Sequence, residues 1–426
     1  MSSLKNKPQT LKGFRDFLPE EMRIRNAVVT KIKEVFESFG FEPLETPSLE
    51  YADTLLGKYG EEADRLVYKF KDRGGREVAM PYDLTVPTAK LLAIYQNKIN
   101  FPFKRYQIQR VWRAEKPQKG RLREFLQCDV DIFGSMSPLA DAEIIIITAV
   151  SLQKLGFKDF YIKLNNRQIL FDLLKQINIT KEEETLSVIR IIDKLEKKPK
   201  VEVEKELIQK KLEKEKVEKL FEIINAASPN QSLTEIFSAC EAAGIEKKFL
   251  RFDPTLARGL DYYSGPIFEA VVEKPKIGSI AGGGRYDFLI KKLGGPDIPA
   301  TGISFGIERI CEALIENKLI ETAKTKTKVL VTIFSPETLG ESISLASKLR
   351  SSGICTDLYP DPEAKLDKQL KYADRKGIPY CAILGPEEIA AGKVTLKNMK
   401  TGEQKSLPVG EITKELKNGG TKELKN

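Results

Sequence analysis

Residues 105–134, RYQIQRVWRAEKPQKGRLREFLQCDVDIFG, contain two alternating runs joined by a short basic loop. Alternation with period two commits both runs to strands. In the second run the odd positions are Arg121, Arg123, Phe125, Gln127, Asp129 and Asp131, and the even ones include Leu122, Leu126, Cys128, Val130 and Ile132. One face is therefore polar and the other apolar. Arg113 and Glu115 stand at matching parity in the first run, so an antiparallel hairpin closed by Lys116 to Gly120 gathers cations, an aromatic ring, an amide and carboxylates on one surface. The solvated face of an ordinary sheet would explain alternating charge but gives no reason for Phe125 and Gln127 among the charges. A binding site is the better reading.

At 426 residues the chain is too long for one typical core, so at least two domains are expected. No segment reaches the apolar length of a membrane span, and the start, MSSLKNKPQT, lacks the apolar core of a signal peptide; a cytoplasmic protein without a membrane partner is expected. The five cysteines are scattered and form no CxxC pair, which argues for reduced thiols and against a structural zinc site. A net charge of +9 suits a polyanionic partner, although by itself the signal is weak. Histidine is absent altogether. That removes Ser-His-Asp chemistry, histidine acid–base catalysis and histidine-ligated metals. Displacement at a phosphate by a substrate carboxylate, which needs charge stabilisation more than a protein base, remains open.

Along the chain, Ile24, Val28, Ile32, Val35, Phe36 and Phe39 recur at helical spacing after Pro19, and Gly40 ends the pattern. FEPLETPSLEY follows, its Pro43 and Pro47 restricting it to an extended or edge strand. Two short strands around DRGG lead into MPYDLTVP, where Asp83 and Thr85 share parity. ADAEIIIITAVSLQKLG reads as a buried helix and FYIKLNN as a strand. From about Arg167 to Phe249 the pattern is helical and dense in Lys and Glu, with Leu207, Leu212, Val217, Leu220 and Phe221 as its apolar stripe; this predicts an inserted helical subdomain with a charged exterior. Beyond TAKTKTK (322–328) the order VLVTIF, helix 335–351, ICTDLYP, helix 364–376, IPYCAILG is a βαβαβ arrangement, followed by a hairpin around Lys400–Gly402. The terminal TKELKN repeat is expected to be a frayed, solvated tail.

Arg113, Glu115, Arg121 and Phe125 make chemical sense as a nucleotide clamp: guanidinium on phosphate, carboxylate accepting from an exocyclic amine, ring under a base. GISFGIERI adds Arg309 near a helix start, with Gly302 and Gly306 permitting close backbone approach. The run Gly282–Gly284 is compatible with either a tight turn or a site element.

Together these segments resemble the motifs of class II aminoacyl-tRNA synthetases: FEPLETPSLEY is similar to motif 1, RVWRAEKPQKGRLREF to motif 2 and GISFGIERI to motif 3. RGLDYYSG (258–265) and GGGRYD (282–287), with PYDLTVP and QCDVD, resemble the segments characteristic of histidyl-tRNA synthetases. The resemblance spans nearly the whole chain. It implies an α/β multidomain protein with an antiparallel-sheet class II catalytic domain at 1–325, a helical insertion at about 167–249, and an α/β anticodon-binding domain at 326–426.

It also implies substrates and roles: ATP with its bound Mg²⁺, histidine and tRNA(His), no zinc or other protein-held metal, and a homodimer formed through the motif 1 region. Arg113 and Arg258 would hold the α-phosphate, Arg309 and Arg121 the outer phosphates, and Glu115 and Phe125 the adenine. Asp83, Thr85 and Gln127 would receive the α-amino group; Asp131 and Tyr263 the imidazole, with Tyr262 and Tyr286 lining that pocket; and Gln118 would approach the tRNA acceptor end. Catalysis would rest on Arg113, Arg258 and Arg309. Two positions depart from common patterns: Asp131 is shorter than the usual glutamate, and Leu126 replaces a histidine or tyrosine but faces the core by parity. The main rival is a synthetase-like regulatory subunit that binds histidine without aminoacylating and, by the same resemblance, lacks an anticodon domain.

Overall fold

The computed structural model describes residues 8–56, 66–116, 122–196, 198–257, 262–320 and 324–419. They form two units, divided between Ile320 and Glu321.

The first unit is built on an eight-stranded sheet. In chain order its strands are β1 (Glu42–Pro43), then, after β2 (Glu50–Tyr51), β3 (Lys69–Lys71) and β4 (Glu77–Ala79) of a separate three-stranded sheet, β5 (Phe103–Trp112), β6 (Glu124–Phe133), β7 (Phe160–Asn166), β8 (Leu250–Phe252), β9 (Pro266–Val272), β10 (Ser279–Arg285) and β11 (Ala300–Gly306). The spatial order is β1-β5-β6-β11-β10-β9-β7-β8. The two outer pairs, β1 with β5 and β7 with β8, are parallel, and the pairs between them are antiparallel. The proline-restricted segment after Gly40 thus supplies an edge strand, as its missing N–H groups require.

One face of this sheet carries the core. Helix α1 (Pro19–Ser38) buries Ile24, Val28, Ile32, Val35 and Phe36, the stripe expected from their spacing, with Glu20 and Glu21 in its first turn where the helix dipole favours acids. The helix Pro138–Leu155 is capped by Ser137, which accepts from the Leu139 N–H, and ends at Gly156. Both helices pack on Cys128, Val130 and Ile132 of β6 and on Ile303 and Phe305 of β11. Burying such side chains contributes roughly 1.5–3 kcal/mol each. The helices between β7 and β8, from Arg167–Gln176 to Gln231–Ala242, bury Leu207, Leu212, Val217, Leu220 and Phe221 within the same continuous core. The predicted insertion is therefore continuous with the catalytic unit, and its last helix packs on Pro138–Leu155 through Leu233, Ile236 and Cys240.

In the second unit, strands β12 (Val329–Val331), β13 (Thr356–Leu358) and β14 (Tyr380–Ile383) are parallel, and β15 (Lys393–Asn398) and β16 (Gln404–Pro408) form the antiparallel hairpin, in the order β13-β12-β14-β15-β16. One expectation is corrected here. The first TKELKN copy is not a frayed tail: it lies in the helix Ile412–Gly419, which buries Ile412 and Leu416 in this unit's core because the two apolar residues fall four apart on one helical face. The second copy lies outside the described residues.

Candidate active site

The cross-strand register places the polar side chains of the hairpin together. β5 and β6 pair Arg105 with Asp131, Gln107 with Asp129, Gln109 with Gln127 and Val111 with Phe125, so odd residues of both strands share a face. β11 flanks β6 on the other side, pairing Gly302 with Asp131 and Ser304 with Asp129. Above this face is a cleft of about 1050 Å³.

Glycine is required in the cleft lining at Gly283 and Gly302. A Cβ on Gly302 would stand 1.9 Å from Asp131 Oδ1, and one on Gly283 would stand 1.9 Å from the Gly302 carbonyl oxygen. Gly284 and Gly302 are register partners, so the Gly282–Gly284 run is strand and not a turn. Gly306 has no comparable constraint, its nearest Cβ neighbour being 3.4 Å away.

Among the buried acids that line the cleft are Asp83 at 5%, Asp129 at 2% and Asp131 at 3% exposure, with Glu269 at 8%. Burial pushes Asp83 up to about 6, against the Val86 N–H and the Arg113 charge, which pull it down. Asp131 rises to about 7, again through burial, with Arg105 opposing and Asp129 reinforcing the rise. Asp129 is raised for the same first reason. Arg105, fully buried, sits 2.8 Å from Asp131 Oδ2 and 3.8 Å from Asp129 Oδ2. Gln127 donates to Asp129 Oδ2 at 2.8 Å. Asp83 Oδ2, Gln127 Oε1 and Asp129 Oδ1 are buried and accept no hydrogen bond from the described residues. Leaving such acceptors unmet is costly, so they point to a ligand rich in N–H donors.

The tyrosines form the adjoining wall. Tyr286 OH donates to Asp131 Oδ1. Tyr262 lies 4.8 Å from Tyr263 and 5.7 Å from Tyr286, ring centre to ring centre. Burial holds the phenols of Tyr262 and Tyr286 well above their ordinary range, so both are neutral donors. The hydroxyl on Asp131 is that of Tyr286; Tyr263, which the resemblance sets with Asp131 around an imidazole, lines the same cleft.

Arg113 donates through Nε to the Tyr82 carbonyl at 2.9 Å, and its guanidinium lies 5.0 Å from the centre of the Phe125 ring. Glu115 and Arg309 also line the cleft, and Arg309 donates to the Ser279 carbonyl at 2.6 Å. Behind Phe125, Glu308 accepts from the Leu126 N–H at 3.1 Å and from Arg25 at 2.5 Å, fixing the start of the helix Ile307–Glu316 against β6.

The structure therefore brings Asp83, Thr85, Arg113, Glu115, Phe125, Gln127, Asp131, Tyr262, Tyr263, Tyr286 and Arg309 to one cleft. Arg121, Arg258 and Gln118 lie outside the described residues. Two details differ from the parity reading: Leu122 precedes β6 and lines the cleft, and Thr85 opens the helix Thr85–Tyr95 instead of extending a strand, with Asp83 capping it through the Val86 N–H. Arg105 and Asp129 were not singled out, although both share the parity that identified Phe125 and Gln127.

An antiparallel sheet with this cleft, followed by a separate α/β unit, has the architecture of a class II aminoacyl-tRNA synthetase with its anticodon-binding domain. The histidyl-tRNA synthetase family model matches residues 13–310 and the anticodon binding domain model residues 328–419. The chain belongs to the histidyl-tRNA synthetase family. It is 40% identical to the histidine–tRNA ligase of Christiangramia forsetii over 456 aligned positions, covering 96% of this chain and 99% of that protein. It is also 40% identical to the ligase of Aeropyrum pernix, over 96% and 97% of the two chains. The crystal structure of the histidyl-tRNA synthetase from Nostoc superposes with a TM-score of 0.85 at 29% identity, over 97% of this chain and all of that one.

Proposed function

We propose that this protein activates histidine with ATP to histidyl adenylate and transfers the histidyl group to the 3′ end of tRNA(His). The observation that carries the reading is the surplus of buried acceptors around Asp83, Gln127 and Asp129, beside the Asp131–Tyr286 pair. An α-ammonium supplies donors to the first set. An imidazole meets a carboxylate and a phenol, and a side chain lacking ring nitrogens would leave both unpaired.

In the first step the histidine carboxylate attacks the α-phosphorus of ATP; the bond to the bridging oxygen breaks and pyrophosphate leaves. Arg113 and, by resemblance, Arg258 offset charge on the α-phosphate, while Arg309 and Arg121 hold the outer phosphates. Phe125 and Glu115 take the adenine. Mg²⁺ enters as the counter-ion of ATP; among the described residues no cluster of acids, cysteines or histidines is arranged to hold a metal. In the second step a terminal ribose hydroxyl of the tRNA attacks the adenylate carbonyl and AMP leaves. A phosphate oxygen of the adenylate takes the proton, so neither step calls on a protein histidine.

The unit at 1–325 would then house the chemistry and that at 326–426 the anticodon contact, with Gln118 near the acceptor end. Leu49, Tyr51 and Phe70 are exposed on and near the small three-stranded sheet that follows motif 1, which supports a homodimer through that region. A cytoplasmic location fits the finding that no helix among the described residues is long and apolar enough to cross a membrane.

Pyrophosphate exchange into ATP, run with each amino acid in turn, tests the reading. Histidine alone should support exchange, and Arg258→Ala should lower it by about 10²-fold or more. Exchange with another amino acid, or near-normal exchange in the variant, would overturn the corresponding assignment.

A further inference from the structure

Arg105 is completely buried and does not line the cleft, yet it lies directly across the β5–β6 ladder from Asp131. Its Nη2 contacts Asp131 Oδ2 at 2.8 Å and reaches toward Asp129 Oδ2 at 3.8 Å, while its Nη1 donates to Gln107 Oε1 at 3.2 Å. Gln107 is itself fixed: it accepts from Thr88 Oγ1 at 3.1 Å and donates to Thr46 Oγ1 at 2.8 Å. The guanidinium is thus tied from below to the motif 1 segment and to the helix Thr85–Tyr95. Such an arrangement does more than neutralise charge. It fixes where the positive charge stands against one particular carboxylate.

We propose that Arg105 is a positioning residue for amino-acid selection, holding Asp131 as the hydrogen-bond acceptor that a histidine imidazole requires. The inference rests on the functional reading above and adds a residue to it. Tyr286 donates to Asp131 Oδ1, while Oδ2 meets the Arg105 charge at 2.8 Å but accepts no hydrogen bond from the described residues, so acceptor capacity is left for the ligand. The groups acting on Asp131 are Arg105 from β5, Asp129 on the same strand, Tyr286 after β10 and Asp83 before the helix Thr85–Tyr95, and Tyr262, Tyr263 and Glu269 line the same cleft. Two neighbouring buried acids without a cation between them share a proton. A protonated Asp131 would be a donor, the wrong partner for an imidazole N–H. Arg105 opposes this by attracting both acids from outside the cleft.

The test measures exchange kinetics and their pH dependence in wild type, Arg105→Met, Arg105→Lys, Asp129→Asn and the double variant Arg105→Met/Asp129→Asn. With Arg105→Met, KM for histidine should rise about tenfold or more, KM for ATP should stay within about twofold, and the acid limb of kcat/KM for histidine should move up by about one pH unit. Arg105→Lys should keep the limb near its wild-type position, because the charge remains. The double variant should recover part of the shift, and Asp129→Asn alone should move the limb down, since a like charge is gone.

A purely structural Arg105 would give parallel losses for both substrates with the limb unmoved, and this overturns the proposal. Should Arg105→Met not fold, Asp129→Asn still decides: an unmoved limb in that isosteric variant contradicts the account. If wild type shows no histidine-dependent exchange, the functional reading itself fails. If it does and the Arg105 and Asp129 variants behave as wild type, only the role of Arg105 is lost.

Discussion

Two buried arginine–aspartate clusters share the eight-stranded sheet of this protein and differ in how fully they are satisfied. Arg285, at the end of β10, donates five hydrogen bonds: two to Asp141 at 2.7 and 3.0 Å, one to Asp287 at 3.1 Å, and one each to the carbonyls of Ser135 and Ser137 at 2.8 and 3.2 Å. Arg105, on β5, donates one hydrogen bond, to Gln107, and meets Asp129 and Asp131 as ion pairs, while its Nε and Nη2 make no hydrogen bond among the described residues. Arg285 stitches the sheet to the start of the helix Pro138–Leu155. The Arg105 cluster faces a cleft and leaves Asp129 Oδ1 and Asp131 Oδ2 without a hydrogen bond from the described residues, against Asp141 Oδ1 alone in the Arg285 cluster. Both are equally out of water, so burial does not distinguish them. Saturation does: a cluster that serves only the fold satisfies its own donors, and one that awaits a ligand is left short of them.

The largest effect that would sharpen this contrast is on stability. Arg285→Met should cost about 3–5 kcal/mol, because Asp141 and Asp287 are left as buried charges without their cation. Chemical denaturation followed by circular dichroism measures this, and an unchanged midpoint would erase the distinction between the clusters. Asp131→Asn should act in the opposite sense, lowering kcat/KM for histidine by about 10²-fold without lowering the melting temperature of the ligand-free protein.

A pH prediction follows from the same acids. Asp131 and Asp83 have folded-state values raised to about 7 and about 6, above the ordinary carboxylate value. Between that ordinary value and the raised ones the folded protein binds more protons than the unfolded chain, so their contribution is fully present below about pH 4 and is lost as pH rises toward about 7. Ligand-free melting temperature should therefore carry a component that falls from pH 5 to pH 7.5, and Asp131→Asn should flatten it. Saturating histidine should raise the melting temperature more at pH 7.5 than at pH 5, since the ligand meets ionised acids. The smallest effect is expected at Phe125→Leu, which removes the ring against Arg113 that is proposed to take the adenine. KM for ATP should rise a few-fold, the equivalent of about 0.5–1.5 kcal/mol, with KM for histidine unchanged.

Much of the catalytic cleft was legible in the chain because a strand has period two. Parity placed Arg113, Phe125, Gln127 and Asp131 on one face; the β5–β6 register bears this out for Phe125, Gln127 and Asp131, and Arg113, just past the last pair, lines the same cleft. Arg105 had the same parity, but its meaning lies in its long-range partner across the ladder and in its complete burial, neither of which alternation can reveal. The glycine run 282–284 was ambiguous for a different reason: residues without side chains show no alternation, and only pairing with β11 identifies a strand. The Tyr286–Asp131 hydrogen bond was not legible either, because it depends on β10 and β11 bringing residues far apart in sequence side by side. The terminal helix was missed because its two apolar residues, Ile412 and Leu416, are too few to stand out without the core that receives them.

The most direct test of the account is a crystal structure of the protein with histidine and a non-hydrolysable ATP analogue. It should place the imidazole within hydrogen-bonding distance of Asp131, the ammonium on Asp83 and Gln127, and the α-phosphate against the guanidinium of Arg113. A complex with the amino acid bound elsewhere, or with Asp131 turned away from Arg105 and the ring, would contradict it.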